Sequence, residues 1–135
     1  MYIKRHLEPA IKTVAAMFGA ILVTGARQIG KTTILQQVVP DIPYVTLDDP
    51  LILQSALEEA GTFFKDNPPP VFVDEIQYAP NLFPQIKMIV DKTRQNGFFY
   101  LSGSQQFKMM KNVGESLAGR CCLYVRQSDY FTRRR

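Results

Sequence analysis

Gly25-Ala26-Arg27-Gln28-Ile29-Gly30-Lys31-Thr32 fits the spacing G-x-x-x-x-G-K-[ST] at every fixed position. Each residue type has a chemical reason to be there. The glycines let the backbone turn tightly and approach phosphate oxygens closely. Successive backbone N–H groups converge on an anion, and the start of the following helix adds positive potential. Lys31 has the length and charge to reach β- and γ-phosphates, and the Thr32 hydroxyl is a hard ligand for Mg²⁺. The ligand expected at Gly25 to Thr32, with Thr33 just beyond, is a nucleoside triphosphate, and Mg·ATP is the first candidate. The alternative is a glycine turn that binds nothing.

A second acidic element lies downstream. Val71-Phe72-Val73 is apolar and ends in Asp74-Glu75. An apolar strand that ends in a carboxylate resembles a Walker B element. Asp74 would hold Mg²⁺ directly or through a water, and Glu75 would polarise a water for in-line attack on the γ-phosphate. Alone the pair says little, since many strands end in acids; placed 42 residues after Thr32 in an alternating pattern it points to a Walker B site, with a solvated strand end as the alternative.

These residues need a scaffold, and the chain supplies alternating patterns. Leu7, Ile11, Val14, Ala15 and Phe18 recur at helical spacing from near Pro9 to Gly19. Ala20 to Thr24 reads as a buried strand, and Thr32 to Val39 as a helix stopped by Pro40. Tyr44 to Leu47 is a second strand. One helix is expected from Asp48-Asp49-Pro50 toward Ala60-Gly61. After Pro68-Pro69-Pro70 comes the acidic strand, then a helix over Asn81 to Arg94 with Leu82, Ile86, Ile89 and Val90 on one face, broken at Asn96-Gly97. Phe98 to Leu101 is a fourth strand followed by Ser102-Gly103-Ser104. A short helix holds Phe107 to Met110, and Cys121 to Val125 is a fifth strand.

Strand and helix alternate, so the expected fold is α/β: a P-loop NTPase three-layer sandwich with a mostly parallel sheet, preceded by an N-terminal helix. With an adjacent glutamate as base, an extra strand is expected between the loop strand and the acidic strand. Phe98 to Leu101 would be that strand. Its carboxyl end would bring Ser102, Ser104 or Gln105 to the γ-phosphate, with Ser104 the favoured contact. Any one of these residues could equally just shape a turn.

The totals narrow the class. The chain has 135 residues, 46% apolar and 21% charged, which fits one modest globular domain. The net charge of +4 rests largely on Arg133, Arg134 and Arg135. Such a tail attracts nucleic acid or acidic lipid, or is simply solvated. Adjacent Cys121 and Cys122 close only a strained ring, and with lone His6 they fall short of a zinc site. No apolar run has the length of a membrane span and no signal peptide opens the chain, so a reducing cytoplasmic setting is expected.

Several segments in order carry a family resemblance. They are the phosphate motif through Thr33, Leu47-Asp48-Asp49-Pro50, Val73-Asp74-Glu75-Ile76-Gln77, Leu101-Ser102-Gly103-Ser104-Gln105 and Ser116-Leu117-Ala118-Gly119-Arg120. Together with Ile3-Lys4-Arg5 they resemble the AAA-type ATPases of bacteria and archaea that carry a C-terminal domain of unknown function. The resemblance covers Met1 to about Arg120. It implies ATP binding, Mg²⁺ and ATPase activity, with Lys31, Thr32, Asp74 and Glu75 in the roles above.

It also implies that Arg120, just before the fifth strand, serves as an arginine finger on a neighbouring copy, and hence a homo-oligomer. The alternative for Arg120 is a structural salt bridge. Arg27, inside the loop, is expected only to pack against its outer side. A protein or DNA partner follows by analogy alone.

Members of that family run on past the Arg120 element into an apolar strand and a second domain, distantly nuclease-like in some. Here Gln127 to Arg135 lacks that character. The expected organisation is an ATPase domain over residues 1–126 and an atypical basic tail over 127–135, read as a truncation or frameshift. The rival functional reading is a nucleotide-binding remnant without useful turnover. A small-molecule kinase is a weaker third, since no Arg-rich lid is evident.

Overall fold

The computed structural model describes residues 11–25, 35–37, 39–104, 107–127 and 130–134. Six strands form one sheet: β1 (Ala20–Gly25), β2 (Tyr44–Thr46), β3 (Val71–Asp74), β4 (Phe99–Ser104), β5 (Cys121–Gln127) and β6 (Tyr130–Arg134). Their order is β2-β3-β4-β1-β5-β6. All neighbours pair in parallel except β5 and β6, which are antiparallel. β4 therefore lies between the loop strand β1 and the acidic strand β3, where the sequence reading puts it.

β1 sits at the centre because both its faces are apolar. Ala20, Ile21, Leu22 and Val23 are all buried, the pattern of a parallel strand covered on both sides. Side chains alternate along a strand, so two cores form. Ala20, Leu22, Val71, Val73, Phe99 and Leu101 pack under helices α3 (Pro50–Glu58), α4 (Ala60–Asp66), α5 (Leu82–Thr93) and α6 (Phe107–Ser116). On the opposite face Ile21, Val23, Phe72 and Tyr100 meet Ile11 and Val14 of the helical residues 11–15 (α1) and Leu35 of the helical residues 35–37 (α2).

Several boundaries differ from expectation. The single helix expected up to Ala60-Gly61 is two. Asp49 caps α3 by accepting from the Leu51 N–H at 3.0 Å, and Pro50 opens the first turn. Glu59 then turns extended, and its own side chain caps α4 by accepting from Gly61 N–H at 3.1 Å. A new cap restarts the helix in another direction, so that Phe63 and Phe64 are buried.

β4 runs on through Ser104 because its backbone pairs with β1 as far as Gly25. α6 extends to Ser116, beyond the short helix expected over Phe107 to Met110. Residues Tyr130–Arg134, expected only as a tail, form β6 on the edge of β5.

On α5 the buried set is Leu82, Phe83, Ile86 and Val90. The helix ends at Arg94, in the left-handed region with φ 54, and Gly97 follows with φ 67. The chain then enters β4 through Gly19. The Gly19 carbonyl accepts from both Phe98 and Phe99 N–H, at 3.1 and 3.0 Å. A Cβ on Gly19 would stand 2.5 and 2.7 Å from the two Val90 methyl carbons. Gly19→Ala is expected to lower stability by about 1–3 kcal/mol through overpacking. Chemical denaturation should also show a smaller cost in a Val90→Ala background. Equal costs in both backgrounds would disprove the contact.

Candidate functional site

Asp74 ends β3 on the face covered by α1 and α2, two residues after Phe72. Its residue is only 6% exposed. A carboxylate so buried needs donors, and three elements supply them. Ser102 Oγ of β4 donates to Oδ1 at 2.5 Å. The Glu75 N–H donates to the same oxygen at 2.9 Å. Tyr44 Oη of β2 donates to Oδ2 at 2.7 Å. The Tyr44 ring is held in turn edge-on against Phe72, with centroids 5.1 Å apart.

Burial of the phenol, then the hydrogen bond and negative charge of Asp74, push the Tyr44 hydroxyl well above its ordinary value of about 10. Deprotonation would set an oxyanion beside the carboxylate. The stabilisation this shift represents is present at neutral pH and is lost as pH rises through the folded value.

Glu75 follows in the left-handed region, with φ 58 and ψ 46. That conformation costs about 1–2 kcal/mol for a residue with a side chain. It turns the chain sharply from β3 into the 3₁₀ turn Ile76–Tyr78. Gln77 in that turn donates from Nε2 to Glu75 Oε1 at 2.7 Å. It also accepts at its own Oε1 from the Ser104 N–H at 3.2 Å. Gly25 ends β1 directly opposite Ser104. Asp74, Glu75, Ser104 and Gly25 therefore meet at the carboxyl ends of three adjacent strands, where ligands bind in open parallel sheets. Ala26, Arg27, Gln28, Ile29, Gly30, Lys31, Thr32 and Thr33, like Gln105, lie outside the described residues.

The donors gathered at this end are hard oxygens, Asp74 and the Ser102 hydroxyl, a set that suits Mg²⁺ better than a softer metal. Thr24, fully buried one residue before Gly25, has a hydroxyl without a hydrogen-bond partner among the described residues.

Arg120 lies elsewhere. Its carbonyl accepts from Ala20 N–H at 3.2 Å, which fixes it at the amino end of the sheet. Its Nε donates to Asp91 Oδ1 of α5 at 2.6 Å, and its Nη1 to the Ala118 carbonyl at 2.8 Å. The pair is largely solvent-exposed. Arg120 draws the Asp91 carboxyl below its usual range, and Asp91 raises the guanidinium further.

Sequence reasoning did not find Tyr44 as a partner of Asp74, nor Gln77 as a partner of Glu75. Tyr44 carried no signal, since only pairing of β2 with β3 brings it there. Gln77 stood in the motif Asp74-Glu75-Ile76-Gln77 without an assigned role.

In an alkaline absorbance titration, the tyrosine signal should include steps well above pH 10, and Tyr44→Phe should remove one of them. A wild-type titration complete at the ordinary value would disprove the Tyr44–Asp74 contact.

Comparison with known proteins agrees with the geometry. A family model described as AAA domain matches residues 18–126. Uncharacterised proteins of Mycobacterium tuberculosis and Mycobacterium bovis are each 32% identical to the chain over 111 residues. The match covers 74% of this chain and 23% of each relative, so the chain spans less than a quarter of their length. Among the described residues, no helix is long and apolar enough to cross a membrane. With the sheet order, the acidic strand end and a matched span that includes most of the described fold, the chain belongs to the AAA domain family and carries its nucleotide-binding type of domain.

Proposed function

We propose that this domain binds Mg·ATP and hydrolyses it to ADP and phosphate. The observation that carries the reading is Asp74, a buried carboxylate fixed by Ser102, Tyr44 and the Glu75 N–H beside the strand end at which the phosphate motif begins. The motif from Gly25 to Thr32 would wrap the phosphates, with Lys31 on the β- and γ-phosphates and Thr32 and Asp74 holding the metal. Bound Mg²⁺ would neutralise charge that develops on the phosphate oxygens.

The chain's own residues would do the rest. Tyr44 and Ser102 keep the Asp74 carboxylate from rotating. Glu75 accepts the proton of the attacking water at a carboxylate oxygen. Ser104, at the end of the inserted strand, contacts the γ-phosphate. The closing test uses three forms of the whole chain. Lys31→Ala should lose affinity for a labelled ATP analogue while keeping its circular dichroism spectrum. Glu75→Gln should keep the affinity and lose turnover by orders of magnitude. If wild type binds but does not hydrolyse, the domain is a nucleotide-binding module without turnover.

For Arg120 we infer action on a second copy. It stands at the opposite end of a six-residue strand from Gly25, roughly 16 Å away at about 3.3 Å per residue, too far to serve its own site. Release from Asp91 would free it for a neighbour's γ-phosphate. ATPase activity per chain should then rise with protein concentration, and Arg120→Ala should abolish that rise at unchanged ATP affinity. A finger of this kind contributes about 10³-fold or more. A rate independent of concentration and of Arg120 would make the residue structural, a partner for Asp91.

A further inference from the structure

Gln77 has no part in the chemistry above, yet it joins two of its members. Its side-chain amide is used at both ends. Nε2 donates to Glu75 Oε1 at 2.7 Å, and Oε1 accepts from the Ser104 N–H at 3.2 Å. The amide also lies flat against β4. A Cβ built on Gly103 would stand 2.5 Å from Gln77 Oε1 and 3.1 Å from Ile76 Cγ2. Gly103 therefore has no side chain at the spot the amide occupies. Gly103 is inside a strand and its φ is not in the left-handed region, so close approach is the reason for a glycine here.

The surroundings limit the alternatives. Glu75 is the residue with left-handed backbone at the end of β3, so its side chain leaves the strand at an angle the sheet does not fix. An unrestrained glutamate in that position would sample several rotamers. The hydrogen bond from the amide to Oε1 removes that freedom and leaves Oε2 to meet a water. The fixed point for the amide is β4, whose register against β1 runs to the pair Gly25 and Ser104. The placement of Glu75 is thus referred to the strand end where the phosphate motif begins.

We propose that Gln77 is a positioning residue, clamped on Gly103 and Ser104 of β4, that holds the Glu75 carboxylate in the orientation required of a base. The proposal rests on the hydrolytic reading of Glu75. It predicts a division between kinetic parameters. A group that only orients the base acts on the chemical step, and a group that binds nucleotide does not. Gln77→Ala should lower kcat by about 10-fold or more, in line with the loss of a well-placed catalytic geometry, with KM for ATP unchanged. Gln77→Glu should fail likewise, because it cannot donate to Glu75 and adds a like charge.

Gly103→Ala supplies an independent handle. Its new methyl displaces the Gln77 amide, so it should reproduce the kcat loss. In a Gln77→Ala background the 2.5 Å clash is gone and only the 3.1 Å contact with Ile76 Cγ2 remains, a few tenths of an ångström for a side-chain methyl to yield, so the double variant should be little slower than Gln77→Ala alone. This non-additivity distinguishes an amide seat from two separate structural defects. A readout without turnover is the hydrogen exchange of the Ser104 amide in the whole chain. Exchange should speed up in Gln77→Ala, and also in Glu75→Ala, where the far end of the amide is released although Glu75 does not touch Ser104.

The outcomes separate the two readings. If Glu75→Gln hydrolyses ATP at the wild-type rate, or wild type shows no turnover, the hydrolytic reading fails and the catalytic role of Gln77 falls with it. If Glu75→Gln is inactive and Gln77→Ala retains wild-type kcat, the positioning role alone is overturned. Additive effects of Gly103→Ala and Gln77→Ala, or unchanged Ser104 exchange in Gln77→Ala, would overturn it as well.

Discussion

A carboxylate with 6% exposure at a strand end is the constraint on which this structure turns. Leaving Asp74 there without partners would cost several kcal/mol. Its donors come from β2, from β4 and from the backbone immediately after it. Ser102 can reach Asp74 only because β4 is the direct neighbour of β3. Tyr44 can reach it only because β2 pairs on the other side, with Tyr44 set against Phe72. The strand order and the hydrogen bonding of Asp74 therefore stand or fall together.

The same end of the sheet shows two modes of control over side-chain direction. Asp74 obeys the alternation of its strand and shares a face with Phe72, under the layer that includes α2. Glu75 escapes alternation by its left-handed backbone and is tied down instead by Gln77. Two adjacent acids thus receive different surroundings, one buried among hydrogen-bond donors, the other partly accessible and held by an amide. Pairs of carboxylates with distinct duties are commonly separated by environment in this way.

The opposite end of the sheet is organised by exposed charge. The Arg120–Asp91 pair links the start of β5 to α5 in a solvent-exposed setting, where an ion pair adds little to stability and opens readily. Its value to the fold is therefore modest. The core nearby has no such slack. Gly19, Val90 and the Phe98-Phe99 N–H groups fit together at van der Waals limits.

The sequence by itself determined the layout of the domain. The apolar run Ala20 to Val23, the acidic end of Val71-Phe72-Val73 and the helical spacing of Leu82, Ile86 and Val90 are local patterns, and local patterns survive without knowledge of neighbours. The placement of β4 was expected from likeness to P-loop proteins that carry an adjacent glutamate, as Asp74-Glu75 does here. What only the tertiary structure decided depends on pairing and on caps. Ser102 to Ser104 look like a turn in isolation and become strand because β1 offers a ladder as far as Gly25. Asp48 to Gly61 look like one helix and become two because the Glu59 side chain caps a new start. Tyr130 to Arg134 look like a solvated tail and become β6 because β5 has an open edge. Tyr44 and Gln77 could not be assigned from sequence for the same physical reason. Asp74, the partner of Tyr44, and Ser104, which anchors the Gln77 amide, lie across strand crossovers, and hydrogen bonds of that range are set by the sheet and leave no trace in residue spacing.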